Sequence, residues 1–313
     1  MDIRTIHDIQ NCFDHAIEPV ETIASGDRRR FDVQDASGGL VGRDSEAEVL
    51  TRLPAEQLNP VCGPLYVADA EPGDALEIEL ESFEPAGWGW TGQIPGFGLL
   101  ADEFPEPWLH RSEYDSEYVY FRDDIRIPFR PFAGVIGLAP AAPGAHSIVP
   151  PRTCGGNLDI RDLIAGTRLY LPIEVPGALL SIGDTHACQG DGEICGTAVE
   201  TSMATTATIR LHKQQSLPAP MFDMAASDTP DIMADGAIVT TGVGPDLMTA
   251  TREATRFMID RLGRVADLDP QTAYGLCSVA GQLRISEVVD MPNWVVSYYM
   301  PKSIFTSKAL RAV

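Results

Sequence analysis

Residues 72–80 read Pro-Gly-Asp-Ala-Leu-Glu-Ile-Glu-Leu, a turn followed by an alternation of apolar and acidic side chains. Alternation with a period of two places one set of side chains on each face of a strand, so it predicts a half-buried β-strand. Residues 167–175 form an apolar run that turn residues bound in the same way. With 28 glycines and 24 prolines spread along the chain, these segments predict many short strands and a β-rich fold.

Helical periodicity becomes convincing only after residue 246. Apolar residues recur at spacings of three and four from Leu247 to Leu262, and Asp246 could cap this helix. A second short helix is predicted from Asp269 to Ala280, leading into a strand at residues 282–289. Helices are therefore expected only in the C-terminal part of the chain.

The domain organisation predicted from the sequence is simple. We find no internal repeat and no clean linker, so one compact unit over residues 1–313 is expected, with 1–210 and 211–313 as its possible lobes. Residues 87–131 are rich in aromatic residues, glycine and proline. A segment of this length could be a lid over a site, or a peripheral flap packed on the core.

The charge of the chain limits its partners. A net charge of -22 repels phosphate at long range, which excludes a general affinity for nucleic acid or anionic membranes. Only three of the 23 basic residues are lysines, namely Lys213, Lys302 and Lys308. This composition is typical of an acidic, halophilic protein whose self-repulsion salt would screen, and GC-rich coding bias is the alternative explanation.

The same sequence indicates a cytoplasmic location. The N-terminal residues lack a basic segment followed by an apolar run, and no apolar stretch is long enough to span a bilayer. The six cysteines are scattered without the spacing of a zinc ribbon or a disulfide framework. Reduced thiols are therefore expected.

Residues 181–201, SIGDTHACQGDGEICGTAVET, contain the densest group of ionisable side chains. Asp184 and His186 stand two residues apart, as do Asp191 and Glu193, so each pair would share one face of an extended segment. The glycines between the pairs could allow a tight turn that folds the second pair beside the first. Burying so much charge is costly without compensation, which predicts a metal or a paired acid and base.

A carboxylate and an imidazole on one strand face suit zinc. On this hypothesis Asp184 and His186 are metal ligands, His186 also takes part in catalysis, and Glu193 accepts a proton from a catalytic water. The alternative is that the acidic residues cap turns while His186 is an ordinary core histidine.

Two weaker candidates lie upstream. Asn157 and Asp159 follow a pair of glycines and offer hard oxygen atoms, either for a second ion such as calcium or for binding an amide, with Asp191 as a further contributor. Such a motif is also typical of an Asx turn. Asp35, in a glycine-rich loop, is a further candidate metal ligand, and a loop role is its alternative.

The thiols of Cys188 and Cys195 suggest a different mechanism. Amide hydrolysis can pass through a thioester when a neighbouring base activates a thiolate, and His186 is near in sequence. Cysteines of this kind are more often small buried apolar residues.

The run GDTHACQGDGEICGTAVE at residues 183–200 resembles the signature of the acetamidase/formamidase family. The resemblance extends over nearly the whole chain through further short motifs. These are residues 63–67 (GPLYV), 71–74 (EPGD), 95–100 (PGFGLL), 135–140 (VIGLAP), 155–159 (GGNLD) and 278–285 (SVAGQLRI). One departure is Gln282, where relatives commonly carry Asp, which puts the family's usual substrate in doubt.

The resemblance implies a mainly β (α+β) fold, with a β-sandwich or barrel-like core and a smaller C-terminal α/β portion. It also implies a homodimer or higher homo-oligomer that hydrolyses short amides such as formamide or acetamide at a divalent metal. By position, Asp184 and His186 resemble the metal-binding pair, and Glu193 resembles the catalytic carboxylate.

The function predicted from the sequence is hydrolysis of a small carboxamide to a carboxylate and ammonia by metal-activated water. One rival is a cysteine-nucleophile amidase. The other is a metal-stabilised β protein that binds a small ligand without turnover.

Overall fold

The computed structural model describes residues 3–98, 101–102, 105–123, 125–193, 195–224, 226, 233, 235–270, 273 and 281–305. Short strands dominate the described residues, as the sequence predicted. The strands are β1 (Thr5–Ile6), β2 (Ile9–Gln10), β3 (Glu21–Ile23), β4 (Arg28–Val33), β5 (Val61–Val67), β6 (Ala75–Pro85), β7 (Trp88–Gln93), β8 (Trp108–Tyr114), β9 (Tyr118–Arg122), β10 (Ile125–Pro128), β11 (Phe132–Gly137), β12 (Gly155–Asn157), β13 (Arg168–Pro172), β14 (Leu180–His186), β15 (Met203–His212), β16 (Met221–Asp223), β17 (Ala237–Gly244), β18 (Gln282–Glu287) and β19 (Trp294–Pro301). The α-helix is α1 (Leu247–Ala266), and 3₁₀ turns span Ala47–Arg52, Ala55–Gln57 and Lys302–Ile304.

Two large sheets pack face to face. The first has the strand order β1-β4-β15-β6-β13-β16-β17-β19-β18, and the second has the order β12-β11-β14-β5-β2 with β3 beside β5. Leu76 and Ile78 from the alternating segment of β6 enter the same apolar cluster as Ile136 and Ile182 of the second sheet. The main core therefore lies between the sheets, and the predicted mainly β, sandwich-like fold is confirmed.

The aromatic segment forms a third sheet with the order β10-β9-β8-β7. Trp90 of β7 is buried, and its backbone exchanges hydrogen bonds with Glu200, so this sheet is joined to the loop that follows β14. The segment is thus a strand-built flap packed on the body of the protein. Its inner side contributes to the cavity described below.

Helix α1 begins as predicted, because the Asp246 carboxylate accepts a hydrogen bond from the Thr249 amide at 2.7 Å. Its buried face packs on β17 and β19. Gly242 of β17 permits this close approach, since a Cβ there would overlap the Ala250 carbonyl. No described helix is long and apolar enough to cross a membrane. The predicted helix 269–280 lies mostly outside the described residues.

Strands β18 and β19 bring a C-terminal turn to the edge of the second sheet. The buried carboxylate of Asp162 binds both strands, because it accepts hydrogen bonds from Tyr299 Oη of β19 at 2.7 Å and from Arg284 Nη1 of β18 at 2.8 Å. Arg130 Nη2 donates to the same carboxylate at 2.6 Å. This anchor positions residues 287–290 for the site.

Candidate active site

Asp184 and His186 share one face of β14. Strand β14 lies between β11 and β5, and all of its side chains are buried. The two residues stand two apart in sequence, and His186 Nε2 lies 3.3 Å from Asp184 Oδ1. Phe132 of β11 is the cross-strand partner of His186, and this register fixes the position of the imidazole along the sheet.

A third group reaches this pair because the chain reverses after His186. Ala187 N donates to Val199 O at 2.9 Å, and Val199 N donates to Cys188 O at 3.1 Å. This pairing sets Glu200 beside His186, with Glu200 Oε2 3.0 Å from His186 Nε2. Glu200 was not among the residues predicted from the sequence.

Asp159 and Glu193 complete the cluster from the other side. Ligand atoms of Asp159, His186 and Glu193 lie within 4.8 Å of one another, as do those of Asp184, His186 and Glu200. Asp159, Asp184 and Glu193 all have left-handed backbone conformations, with φ of 45°, 53° and 47°. Left-handed non-glycine residues are uncommon and concentrate at functional sites, so three in one cluster support a functional role.

The space between the carboxylates exists because residue 134 is a glycine. A Cβ on Gly134 would overlap Asp159 Oδ1 and would lie 2.9 Å from Asp184 Oδ2 and 3.0 Å from His186 Cε1. Any other residue at this position of β11 would therefore fill the centre of the site.

Gln189 determines which nitrogen of His186 carries a proton. Gln189 Nε2 donates to the Asp159 carbonyl at 2.8 Å, and a carbonyl can only accept, so Gln189 Oε1 is the atom that faces His186 Nδ1 at 3.0 Å. His186 Nδ1 must then be the donor. The lone pair of the neutral imidazole is left on Nε2, which faces Asp184 and Glu200.

The C-terminal turn contributes two more carboxylates. Glu287 accepts hydrogen bonds from the backbone amides of Val289 and Asp290, which fixes the turn. Asp290 Oδ2 accepts from Asn157 Nδ2 at 2.6 Å. The predicted pair Asn157 and Asp159 thus lies at the site, joined by a partner more than 130 residues away in sequence.

Two predicted site residues lie elsewhere. Asp191 is exposed and pairs with Arg161, Nε to Oδ1, at 3.6 Å. The Asp35 carboxylate accepts hydrogen bonds from Ser37 and from Trp90 Nε1 at 3.4 Å, so it stabilises its own loop. Neither belongs to the candidate metal clusters among the described residues.

The electrostatics of the cluster are dominated by burial and by like charge. Burial, followed by the neighbouring Asp184 charge, raises the pKa of Asp159 well above its usual range. Burial and the Asp159 charge do the same for Glu193. Burial raises the pKa of Glu200 to about 7, although the His186 charge opposes the shift.

For the pKa of the His186 imidazole, burial and the neighbouring charges act in opposite directions. Burial alone would lower the pKa of His186, but the Glu200 and Asp184 carboxylates outweigh it and raise the pKa well above its usual value. So many buried carboxylates around one histidine need an added positive charge to be ionised together.

The donor atoms fit a divalent cation. Asp159 Oδ1 and Oδ2, Asp184 Oδ1, Glu200 Oε2 and His186 Nε2 are buried without a hydrogen-bond partner among the described residues. Asp184 Oδ1 and Glu200 Oε2 lie close to His186 Nε2, but their directions do not meet the geometry of a hydrogen bond. Unsatisfied buried polar atoms are rare and costly, whereas one cation could satisfy the atoms of Asp184, Glu200 and His186, which lie within 4.8 Å of one another. One imidazole nitrogen with carboxylate oxygens is a set that zinc accepts.

The cluster forms the floor of a cavity of about 420 Å³. Asn157, Asp159, Asp184, Glu193 and Glu200 line its polar end. The remaining wall is largely apolar and comes from the flap, the 3₁₀ turns and the loop before β12. The residues that carry the unpartnered carboxylates therefore border a cavity large enough for a small substrate.

The cysteines lack the surroundings of a nucleophile. Burial raises the pKa of the Cys188 thiol to about 11, and its side chain packs in the apolar cluster with Tyr114 and Val199. Cys195 Sγ donates to the Thr197 carbonyl at 3.4 Å. The burial of Cys188 favours its protonated thiol.

Known proteins are similar to this chain in fold and in sequence. The chain matches the sequence model of the Acetamidase/Formamidase family over residues 3–147 and 141–307. An acetamidase crystal structure from Bacillus halodurans is similar, with a TM-score of 0.86 and 30% identity over 96% of this chain and 97% of that chain. An acetamidase structure from Yersinia enterocolitica has a TM-score of 0.86 and 31% identity over 98% and 94% of the two chains. A formamidase from Methylophilus methylotrophus is 27% identical over 369 aligned positions, covering 95% of this chain and 89% of the relative.

Proposed function

The chain belongs to the acetamidase/formamidase family, and from this membership we propose that it hydrolyses a carboxamide to a carboxylate and ammonia at the buried cluster. The observation that carries the proposal is the set of unpartnered ligand atoms of Asp184, His186 and Glu200 at the floor of the cavity. Water supplies the hydroxyl group of the new C–O bond and a proton for nitrogen as the C–N bond breaks.

We propose that Asp184, Glu200 and His186 Nε2 hold a divalent metal, zinc by the softness of the donor set. When bound, such an ion would serve as a Lewis acid, which polarises a carbonyl oxygen and increases the acidity of water. The residues around it keep the ligands in place: Gln189 orients the imidazole, and Gly134 leaves the space between the carboxylates.

Glu193 is proposed as the proton carrier. Its carboxyl is buried, lines the cavity and has a raised pKa because of burial and the Asp159 charge. A carboxylate of raised basicity takes a proton from the attacking water and then returns it to the departing nitrogen.

Asn157 and Asp290 are suited to bind the amide group. Asn157 lines the cavity, and its buried Oδ1 has no hydrogen-bond partner within the described residues. It can accept a hydrogen bond from the N–H of a carboxamide, while the Asn157 Nδ2 contact to Asp290 prevents the side chain from flipping. The second ion predicted at Asn157 and Asp159 would have to bind without Asp191, which faces away.

The two rival functions have weaker support. A thioester route needs a thiolate beside a free base, but both nitrogens of His186 face other groups and the Cys188 thiol is buried. Binding without turnover finds no support in the names of the relatives, which are enzymes. Homo-oligomerisation, a cytoplasmic location and the division into lobes stay predictions.

The decisive experiment measures ammonia release from formamide, acetamide and propionamide. Activity should disappear with a chelator, return with zinc and survive a thiol-blocking reagent. Loss of activity with the thiol reagent alone would select the thioester route. Absence of ammonia from every amide in metal-replete protein would contradict the proposed function.

A further inference from the structure

The cavity is much larger than a small aliphatic amide requires. Acetamide has four non-hydrogen atoms and occupies on the order of 100 Å³ if each atom takes about the 30 Å³ of a water molecule. The cavity measures about 420 Å³, which falls within the range of about 300–1,000 Å³ found for sites that enclose drug-sized ligands. Most of its volume would remain empty around acetamide.

The cavity wall outside the polar end is mostly apolar, with Asn59, Ser147 and Thr197 as its polar members. The wall is made by aliphatic and aromatic side chains from separate segments of the chain. They are Leu50, Leu53, Leu58, Trp90, Ile94, Phe97, Val149, Pro150 and Met291. Water in such a space makes few hydrogen bonds, so its displacement by apolar substrate atoms is favourable.

We propose that the enzyme prefers primary carboxamides with a bulky apolar acyl group, aryl or branched, over formamide and acetamide. This inference rests on the proposed function and specifies the substrate class of the same site. The carboxamide lies against the polar floor, and the acyl group fills the apolar part of the cavity.

The polar floor favours an unsubstituted amide nitrogen. Asn157 Oδ1 and the two Asp159 oxygens are buried acceptors without partners among the described residues, and the two N–H groups of a primary amide could donate to Asn157 Oδ1 and to one Asp159 oxygen. An N-aryl amide has one N–H and would place its ring among the carboxylates of Glu193 and Asp290. The apolar group therefore belongs on the carbonyl carbon.

Leu58 and Phe97 are the side chains that should set this preference. Phe97 lies directly over Gly196, where a Cβ would come within 2.5 Å of Phe97 Cδ1, so its ring is held against the loop that carries Glu193. Leu58 lines the cavity but is absent from the apolar clusters of the described residues. Replacing Leu58 should therefore alter the cavity with little effect on the core.

The first test compares phenylacetamide, acetamide and acetanilide, an isomer of phenylacetamide with its ring on nitrogen. Each buried methylene contributes about fourfold to binding or more. The kcat/KM for phenylacetamide should exceed that for acetamide by at least 100-fold, with acetanilide hydrolysed poorly. A ratio below tenfold, or acetanilide as the better isomer, would overturn the inference.

The second test uses variants of the wall. Leu58→Trp should fill part of the cavity and reduce the ratio of kcat/KM for phenylacetamide to that for acetamide at least tenfold. Leu40→Ala is the matched control, because Leu40 is 49% exposed and does not line the cavity. If Leu58→Trp fails to fold, Leu58→Ala should still lower the ratio about fourfold or more. An unchanged ratio in a folded Leu58 variant would contradict the inference.

Failure of this inference differs from failure of the proposed function. If acetamide is hydrolysed as well as phenylacetamide, the chain is an amidase without the acyl preference. If none of the three amides or formamide releases ammonia or aniline from metal-replete protein, the proposed function itself is wrong.

Discussion

Replacing Gly134 by alanine should disable the site by adding one methyl group. The new Cβ would lie 2.9 Å from Asp184 Oδ2 and closer still to Asp159 Oδ1, whereas non-bonded heavy atoms prefer separations of about 3.5 Å or more. Strand β11 is hydrogen-bonded to β12 and β14 on its two sides, so the backbone cannot retreat. The carboxylates must move instead, by about half an ångström or more.

Such a displacement exceeds what a metal site accepts. Ligand distances are held to within about 0.2 Å, and altering even a supporting residue typically costs about 10- to 100-fold in metal affinity. We expect Gly134→Ala to lose at least 100-fold in zinc affinity and a comparable factor in kcat/KM. Overpacking should also destabilise the protein by about 1–3 kcal/mol.

The assay is a zinc titration of metal-stripped protein, with a thermal melt and ammonia release on the same samples. Gly190→Ala is the control, because a Cβ at Gly190 has nothing within 4 Å; its metal affinity should match the parent. If Gly134→Ala binds zinc with the parent's affinity and keeps more than a third of the parent's kcat/KM, the assignment of the metal to this cluster is wrong.

Four further predictions follow from the geometry. Glu193→Gln should reduce kcat by about 10²- to 10⁴-fold with metal still bound, while the kcat of Cys188→Ala should stay within a few-fold of the parent value. The reverse pattern in steady-state kinetics would favour the thioester route. Gln189→Leu removes the acceptor for the imidazole N–H and should weaken zinc about 10- to 100-fold in equilibrium titration, and an unchanged affinity would refute its orienting role. Burial opposes ionisation of Asp74, but hydrogen bonds from Lys213 and two backbone amides lower its pKa. The stability gained from this carboxylate is therefore present at neutral pH and is lost as the pH falls through its lowered pKa. Lys213→Met should cost about 1 kcal/mol or less at pH 7 and nothing once the carboxyl is protonated, and an equal loss at both pH values in chemical denaturation would contradict this role of Lys213. Finally, the melting temperature should rise substantially from low to molar salt if the acidic surface is a salt adaptation, and a salt-independent value would favour coding bias.

The sequence predicted the parts of the site that depend on local geometry. The i, i+2 spacing on β14 correctly predicted that Asp184 and His186 converge. It did not predict that the backbone of Asp184 is left-handed within the strand, with φ of 53°. The same rule fails for Asp191 and Glu193, because residues 189–193 are irregular, with a turn at Asp191, rather than a strand. The backbone therefore buries Glu193 and leaves Asp191 beside Arg161.

Groups that depend on distant pairing could not be predicted in this way. Glu200 reaches His186 only because Val199 pairs with Cys188, and Asp290 arrives with the turn between β18 and β19. A charged residue directly after the apolar pair Ala198-Val199 was a local signal for Glu200. For Asp290 we find no local signal, since its place depends on the Asp162 anchor.

The left-handed backbone at Asp159, Asp184 and Glu193 has a consequence for protein engineering. This conformation costs a non-glycine residue roughly 1–2 kcal/mol, and glycine adopts it freely. A selection for heat resistance alone would therefore enrich glycine at these three positions, because each replacement relieves backbone strain and removes a buried carboxylate. The survivors would be robust proteins without a functioning site, so a thermostability screen on this scaffold should hold these codons fixed.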